Sequence, residues 1–137
     1  MQPTPSDFDY TLDFKVRDYE CDLQGIVNNS VYQNYLEHAR HEFLLSKGVH
    51  FAELAKQGIN LIVTRIELDY KKPLRSGDTF CVALSVSIRG ALRGYFEQAI
   101  FVGPSQQLAA KALVTWAAMD NQGKPLKIGE VAKQLMT

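Results

Sequence analysis

The sequence predicts an α+β fold in which one long helix lies against an antiparallel sheet. Three observations predict it. One long stretch, from about Ser30 to Ser46, repeats its apolar residues at spacings of three and four, the period of an amphipathic helix. From Ile59 onward the apolar period is two, through four successive stretches. The links between those stretches are short and rich in Gly, Pro, Asn and Asp, which read as turns between antiparallel neighbours.

In chain order, Met1 to Asp9 is polar and proline-bearing and reads as a loose arm. Tyr10 to Tyr19 alternates, with Tyr10, Leu12, Phe14 and Val16 on one side, so it predicts a half-buried strand. Cys21 to Asn29 is a polar loop in which Gly25 marks a tight turn and Asn28, Asn29 or Ser30 can cap the long helix. That helix buries Tyr32, Leu36, Ala39 and Phe43, with Val31 and Tyr35 alongside, and stops at Gly48. Phe51 to Lys56 adds a helical turn. The next strand carries Ile62, Ile66, Leu68 and Tyr70 and ends at Pro73. Thr79 to Arg89 alternates most regularly: Phe80, Val82, Leu84, Val86 and Ile88 share one face, with small residues opposite. Those small residues predict a second packing surface, such as another subunit. Tyr95 to Val102 and Leu108 to Met119 complete the sheet, Asp120 to Gly123 turns, and Glu130 to Met136 reads as a short helix. Four strands in succession with short links predict an antiparallel meander.

The 137 residues suit one domain, residues 1–137, and the 46% apolar content suffices for a core. Lysine plus arginine equals aspartate plus glutamate, 15 each, and no basic stripe stands out, which argues against nucleic-acid binding. Cys21 and Cys81 form neither a metal-ligand pattern nor a CxxC motif and suggest free thiols in a reducing compartment. No charged-then-apolar leader opens the chain, and no apolar run approaches the ~20 residues that span a bilayer. The expectation is a cytoplasmic protein without a membrane span.

The stretch from Asp18 to Arg40 carries the chemistry. A helix N-terminus offers unpaired N–H groups and a partial positive charge. Asp22 stands a few residues before such an end, where a polarised carbonyl oxygen could also be held. That pairing of an acid with backbone donors suits acyl chemistry.

The run Asp22-Leu-Gln-Gly25-Ile-Val-Asn-Asn29-Ser-Val-Tyr32, followed by Tyr35-Leu36-Glu37-His38-Ala39-Arg40, resembles the 4-hydroxybenzoyl-CoA thioesterase-like branch of the hotdog-fold acyl-CoA thioesterases. Asp69-Tyr70-Lys71-Lys72-Pro73-Leu74 with Gly77-Asp78, and Ala112 to Trp116 leading into Asp120 and Gly123-Lys124-Pro125, fit the same pattern. The resemblance implies a five-stranded antiparallel sheet wrapped around one central helix. It also implies homodimers with a continuous sheet, often paired into homotetramers, and active sites between subunits. It places the catalytic aspartate on Asp22 and the oxyanion donor, a backbone N–H, on Asn29. Many relatives carry histidine where this chain has Gly25, which leaves the acyl group unassigned. No cofactor is implied.

A thioester carbonyl is already electrophilic. Asp22 can attack it to form a mixed anhydride, or deprotonate a water that attacks. Glu37, on the helix, is either a second base or the surface partner of Arg40 or His41. Tyr32 is a candidate substrate contact that the helical period also places in the core. Arg89 and Arg93, flanking a turn with Gly90 and Gly94, are candidates for the phosphates of coenzyme A; Lys71, Lys72 and Arg75 are weaker ones. His38 and His41 read as solvated helix residues, without HExxH or a cysteine partner, so no metal is assigned. The expected function is hydrolysis of an acyl-CoA or acyl carrier protein thioester. A hotdog hydratase or dehydratase and a non-catalytic acyl-binding module are the alternatives.

Overall fold

The alternating stretches pair into one wholly antiparallel sheet in a computed structural model that describes residues 2–137. The elements are β1 (Tyr10–Lys15), α1 (Asn29–Ser46), α2 (Phe51–Lys56), β2 (Asn60–Tyr70), β3 (Thr79–Arg89), β4 (Arg93–Val102), β5 (Gln107–Met119), β6 (Pro125–Leu126) and α3 (Gly129–Met136). The five long strands lie in the order β1-β3-β4-β5-β2, and the two-residue β6 pairs with β5. The sheet curves around α1, whose buried face is Tyr32, Tyr35, Leu36, Ala39, Arg40, Phe43 and Leu44. Facing it are Phe80, Val82 and Leu84 of β3, Phe96 and Ile100 of β4, and Val114 and Trp116 of β5. This is the hotdog arrangement.

Three expectations need correction. The meander is limited to β3, β4 and β5. The link after β2 reads as a turn, yet residues 71–78 carry the chain from one edge of the sheet to β3, beside β1 at the other. Second, β2 does not keep one parity. Val63 pairs with Trp116 and Arg65 with Thr115, so Thr64 is an extra residue in a bulge. The inward face is therefore Leu61 and Val63 before the bulge and Ile66, Leu68 and Tyr70 after it, while Ile62 falls on the opposite face. Third, the N-terminal arm is not loose from Pro5 to Asp9; Met1 lies outside the described residues. Pro5–Asp7 forms a 3₁₀ turn, the Asp9 N–H donates to the Leu84 carbonyl at 3.1 Å, and Phe8 meets Phe101 edge to face at 6.1 Å. Ala83 and Ala99 are small enough to leave a trough that Phe8 fills. The second packing surface is thus covered at this point by the chain's own arm.

Two features position the site. The first strand ends at Lys15, before Val16, because a 3₁₀ turn at Asp18–Glu20 takes over, with the Glu20 carboxylate accepting from the Arg17 N–H at 2.8 Å. At its other end α1 runs into Gly48, whose φ of 74° is open to glycine and strained for other residues.

Candidate active site

The loop between the 3₁₀ turn and α1 is a small hairpin. Cys21 bridges Val27, the Asp22 N–H donates to the Ile26 carbonyl at 2.9 Å, and the Gly25 N–H donates to the Asp22 carbonyl at 3.0 Å. Gly25 has φ 77°, which this tight reversal requires. The Asp22 side chain adds an Asx turn, Oδ1 accepting from the Gln24 N–H at 2.9 Å. Val27 is buried and its N–H donates to the Leu74 carbonyl at 2.8 Å, while Ile26 bridges Arg75. The crossing segment 71–78 therefore forms the seat of the loop.

From this seat the chain enters α1. The N-cap Asn28 has extended backbone, φ −61° and ψ 139°, and its Oδ1 accepts from the Ser30 N–H at 3.1 Å. The Asn28 carbonyl accepts from the Val31 N–H at 2.9 Å. The peptide joining Asn28 to Asn29 is thus fixed through its carbonyl, while the Asn29 N–H has no partner among the described residues. It is an unspent donor at the positive end of an 18-residue helix. Tyr70, at the end of β2, donates its hydroxyl to the Asn29 carbonyl at 3.0 Å and holds the first turn from the other side.

A polar brace ties the loop to the helix. Glu20 accepts from the Tyr35 hydroxyl at 2.8 Å, and its backbone carbonyl accepts from the Asn28 N–H at 3.1 Å. Burial, then the bond to Glu20, raise the pKa of the Tyr35 phenol, so it stays a donor. Tyr32 is buried, its hydroxyl accepts from the Leu74 N–H at 3.0 Å, and its ring meets Tyr70 edge to face at 5.0 Å. Tyr32 therefore braces the loop seat within a protomer instead of lining an opening. From sequence, Glu20, Tyr35, Tyr70 and Leu74 have no site role; Tyr35, Tyr70 and Leu74 stand within the motifs that carry the resemblance, which is their one signal, and Glu20 has none.

The structure brings Asp22, Gly25 and Asn29 together at one end of α1, with the Asp22 carboxylate exposed. Glu37 lies two turns further along, exposed and 3.8 Å from His41; His38 pairs likewise with Glu42 at 3.9 Å. Arg89 and Arg93 do not join them. They face each other across the β3–β4 hairpin, Arg89 over the Tyr95 ring at 5.2 Å. The eleven residues of β3, at about 3.3 Å each, put roughly 36 Å of strand between that hairpin and the loop seat within one protomer. Of the weaker candidates, Arg75 bridges Ile26 of the loop, while Lys71 and Lys72 lie earlier in the crossing segment, with Lys72 donating to Gln107.

Along the β2 side of α1 runs a groove of about 460 Å³. Glu37, Arg40 and His41 line its helix wall, and Leu61, Val63, Ile66, Phe96 and Trp116 line its sheet wall, with Phe51 of α2 and Leu135 of α3 adding to the lining. Arg40 is buried with its Nη1 donating to Gln98 at 3.0 Å, and Gln98 in turn donates to the Leu36 carbonyl at 3.0 Å. That pair ties the middle of the helix to β4.

Residues 16–135 match the model of the thioesterase-like superfamily, and the chain belongs to that family of hotdog-fold proteins. Among curated relatives, a chloroplastic acyl-acyl carrier protein thioesterase of Arabidopsis thaliana is 43% identical over 87% of this chain, which spans 63% of that protein's length. The long-chain acyl-CoA thioesterase FadM of Escherichia coli is 29% identical over 77% of this chain and 80% of its own. A solved structure of a hypothetical protein from Aquifex aeolicus superposes with a TM-score of 0.85 at 30% identity, covering 94% of this chain and all of that one (100%).

Proposed function

We propose that the protein is a thioesterase that hydrolyses an acyl-CoA, or an acyl carrier protein thioester, to the free acid and the thiol. The observation that carries this reading is the unspent Asn29 N–H at a capped helix start, with Asp22 on a hairpin that follows Glu20, the residue to which Tyr35 of the same helix donates. The Asn29 N–H takes the thioester carbonyl oxygen and holds the negative charge that develops there. A donor fixed before reaction needs no reorganisation, and losing one of this kind raises the barrier by about 3–4 kcal/mol. Asp22 acts in one of two ways. As nucleophile, a carboxylate oxygen bonds to the carbonyl carbon, the C–S bond breaks, the thiolate leaves, and water then opens the anhydride. As general base, it takes a proton from water as the oxygen of that water bonds to the carbon; the tetrahedral intermediate then collapses, the C–S bond breaks, and the thiolate leaves and takes up that proton as the thiol. The Asx turn leaves Asp22 Oδ2 free for either step. Glu37, two turns away and paired with His41, is the less supported acid.

The reading includes a single catalytic domain over residues 1–137 that works as a homodimer or homotetramer. The exposed Asp22 needs cover, and β2 is an eleven-residue edge strand with Val63 and Tyr70 exposed on it. Antiparallel pairing of two β2 edges would set the start of one against the end of the other. The Arg89–Arg93 hairpin lies at the β2 start, through Gly94, Trp116 and Val63, whereas the Asp22 loop lies at its end, through Tyr70 and Asn29. A dimer of this kind puts each arginine pair at the same end as Asp22 of the other copy, a suitable place for coenzyme A phosphates. Cys21 and Cys81 are free thiols, which supports a reducing, cytoplasmic setting.

Thiol release from a panel of acyl-CoA and acyl carrier protein thioesters is the test. Turnover on at least one carrier is the expected result. Tight binding across the panel with no thiol released would replace the hydrolase with a binding module.

A further inference from the structure

Trp116 is the one tryptophan of the chain. It is 3% exposed, lines the groove beside α1, and its indole N–H is the one buried side-chain polar atom without a partner among the described residues. Buried polar groups ordinarily pair, so a bare indole N–H here points to the shape of the ring as what this position uses. The reason for its position lies behind it. Trp116 pairs across the sheet with Gly94, and a Cβ at Gly94 would come within 2.1 Å of the indole. The ring therefore lies flat on the one position of β4 that has no side chain, tilted against Phe96 at 5.9 Å. A larger residue at position 94 would drive the indole off the sheet and into the groove.

The groove itself points to one occupant. Its volume of about 460 Å³ falls within the ~300–1,000 Å³ of small-ligand pockets, and its sheet wall is wholly apolar. On the helix wall it begins at Glu37, eight residues or about 12 Å along α1 from the Asn29 N–H, and continues to Leu44. A flexible aliphatic tail whose carbonyl sits at Asn29 can follow the helix into it. Trp116, backed by Gly94, stands where such a tail meets the sheet.

We infer that Trp116, seated on Gly94, sets the length of acyl chain this protein accepts by forming the sheet-side limit of the groove. The inference rests on the thioesterase reading for its substrate, but not for its test. With a single tryptophan in the chain, indole emission reports occupancy of the groove directly, without turnover. Titration with free fatty acids from butyrate to stearate is expected to change the emission saturably, and only above a threshold chain length. In the thiol-release panel, Trp116→Phe is expected to raise the ratio of kcat/KM for long over short chains by about tenfold, the effect of a methylene or more of added room. Gly94→Ala is expected to move the ratio the other way. These opposite signs are something a merely structural pair would not give, since both variants would then lower all chain lengths alike.

Emission that responds to no fatty acid, in a protein that releases thiol, overturns the inference and leaves the thioesterase reading intact. A ratio unchanged in both variants overturns it too. Emission that changes only as the protein is diluted would assign the groove to contact between copies, and would also overturn it. Saturable fatty-acid response without thiol release would support the groove and sink the hydrolase.

Discussion

The two ends of α1 are held by different physics. Around Asn29 the structure is a lattice of hydrogen bonds: Asn28 to Ser30, Tyr70 to Asn29, Tyr35 and Arg17 to Glu20, and Leu74 to both Val27 and Tyr32. From Leu36 to Leu44 the helix is held by packing, with Arg40 and Gln98 as the polar exception. Hydrogen bonds fix direction, which a charge-stabilising N–H needs. Packing fixes volume, which a chain-binding groove needs. Changes at the first end should therefore fall mainly on rate, and core truncations at the second mainly on stability.

Asp22→Asn should show this contrast most sharply. Asparagine can keep the Asx turn to Gln24 but is neither base nor nucleophile, so thiol release should fall by roughly 10²–10⁴-fold with little change in melting temperature. Leu36→Ala, at 1% exposure in the middle of the core, should do the reverse. Chemical denaturation should report a loss of about 2–5 kcal/mol, while the remaining folded protein turns over normally. Asn28→Ala touches both ends of the contrast: about 1 kcal/mol of stability from the lost cap, and a lower kcat because the donor peptide is released.

The smallest effect is in the pH dependence of stability. Burial, then Glu20, raise the Tyr35 pKa above the ordinary 10.0. The folded state then keeps a proton that the unfolded chain loses, so the contribution of Tyr35 is complete below pH 10 and falls as the pH rises beyond it. Denaturation midpoints of wild type should drop more steeply above pH 10 than those of Tyr35→Phe.

The contrast also explains what the sequence made legible. The packed parts were plain, because burial writes a period into the residues. α1 begins one residue before the Ser30 that its pattern suggests, and β3 occupies Thr79 to Arg89 as its alternation predicts. The candidate site was legible as Asp22 and Asn29, because turn and cap residues are chemically distinct. Features that leave no period were not legible. The bulge at Thr64 shifts parity without any glycine or proline to mark it. Residues 71–78 have the composition of a hairpin, yet they cross to the other edge. The groove draws on three helices and three strands far apart in sequence, and the Trp116–Gly94 seat exists only once β4 and β5 are in register.

The most direct measurement is made on the Asn29 N–H itself. Asn29 is the first residue of α1, where proline is well tolerated, and Asn28 already has the extended backbone that a following proline requires. Asn29→Pro therefore deletes one hydrogen-bond donor and little else. Thiol release should fall by roughly 10²–10³-fold with the melting temperature held. A folded Asn29→Pro protein that turns over at the wild-type rate would show that the helix start does not hold the oxyanion.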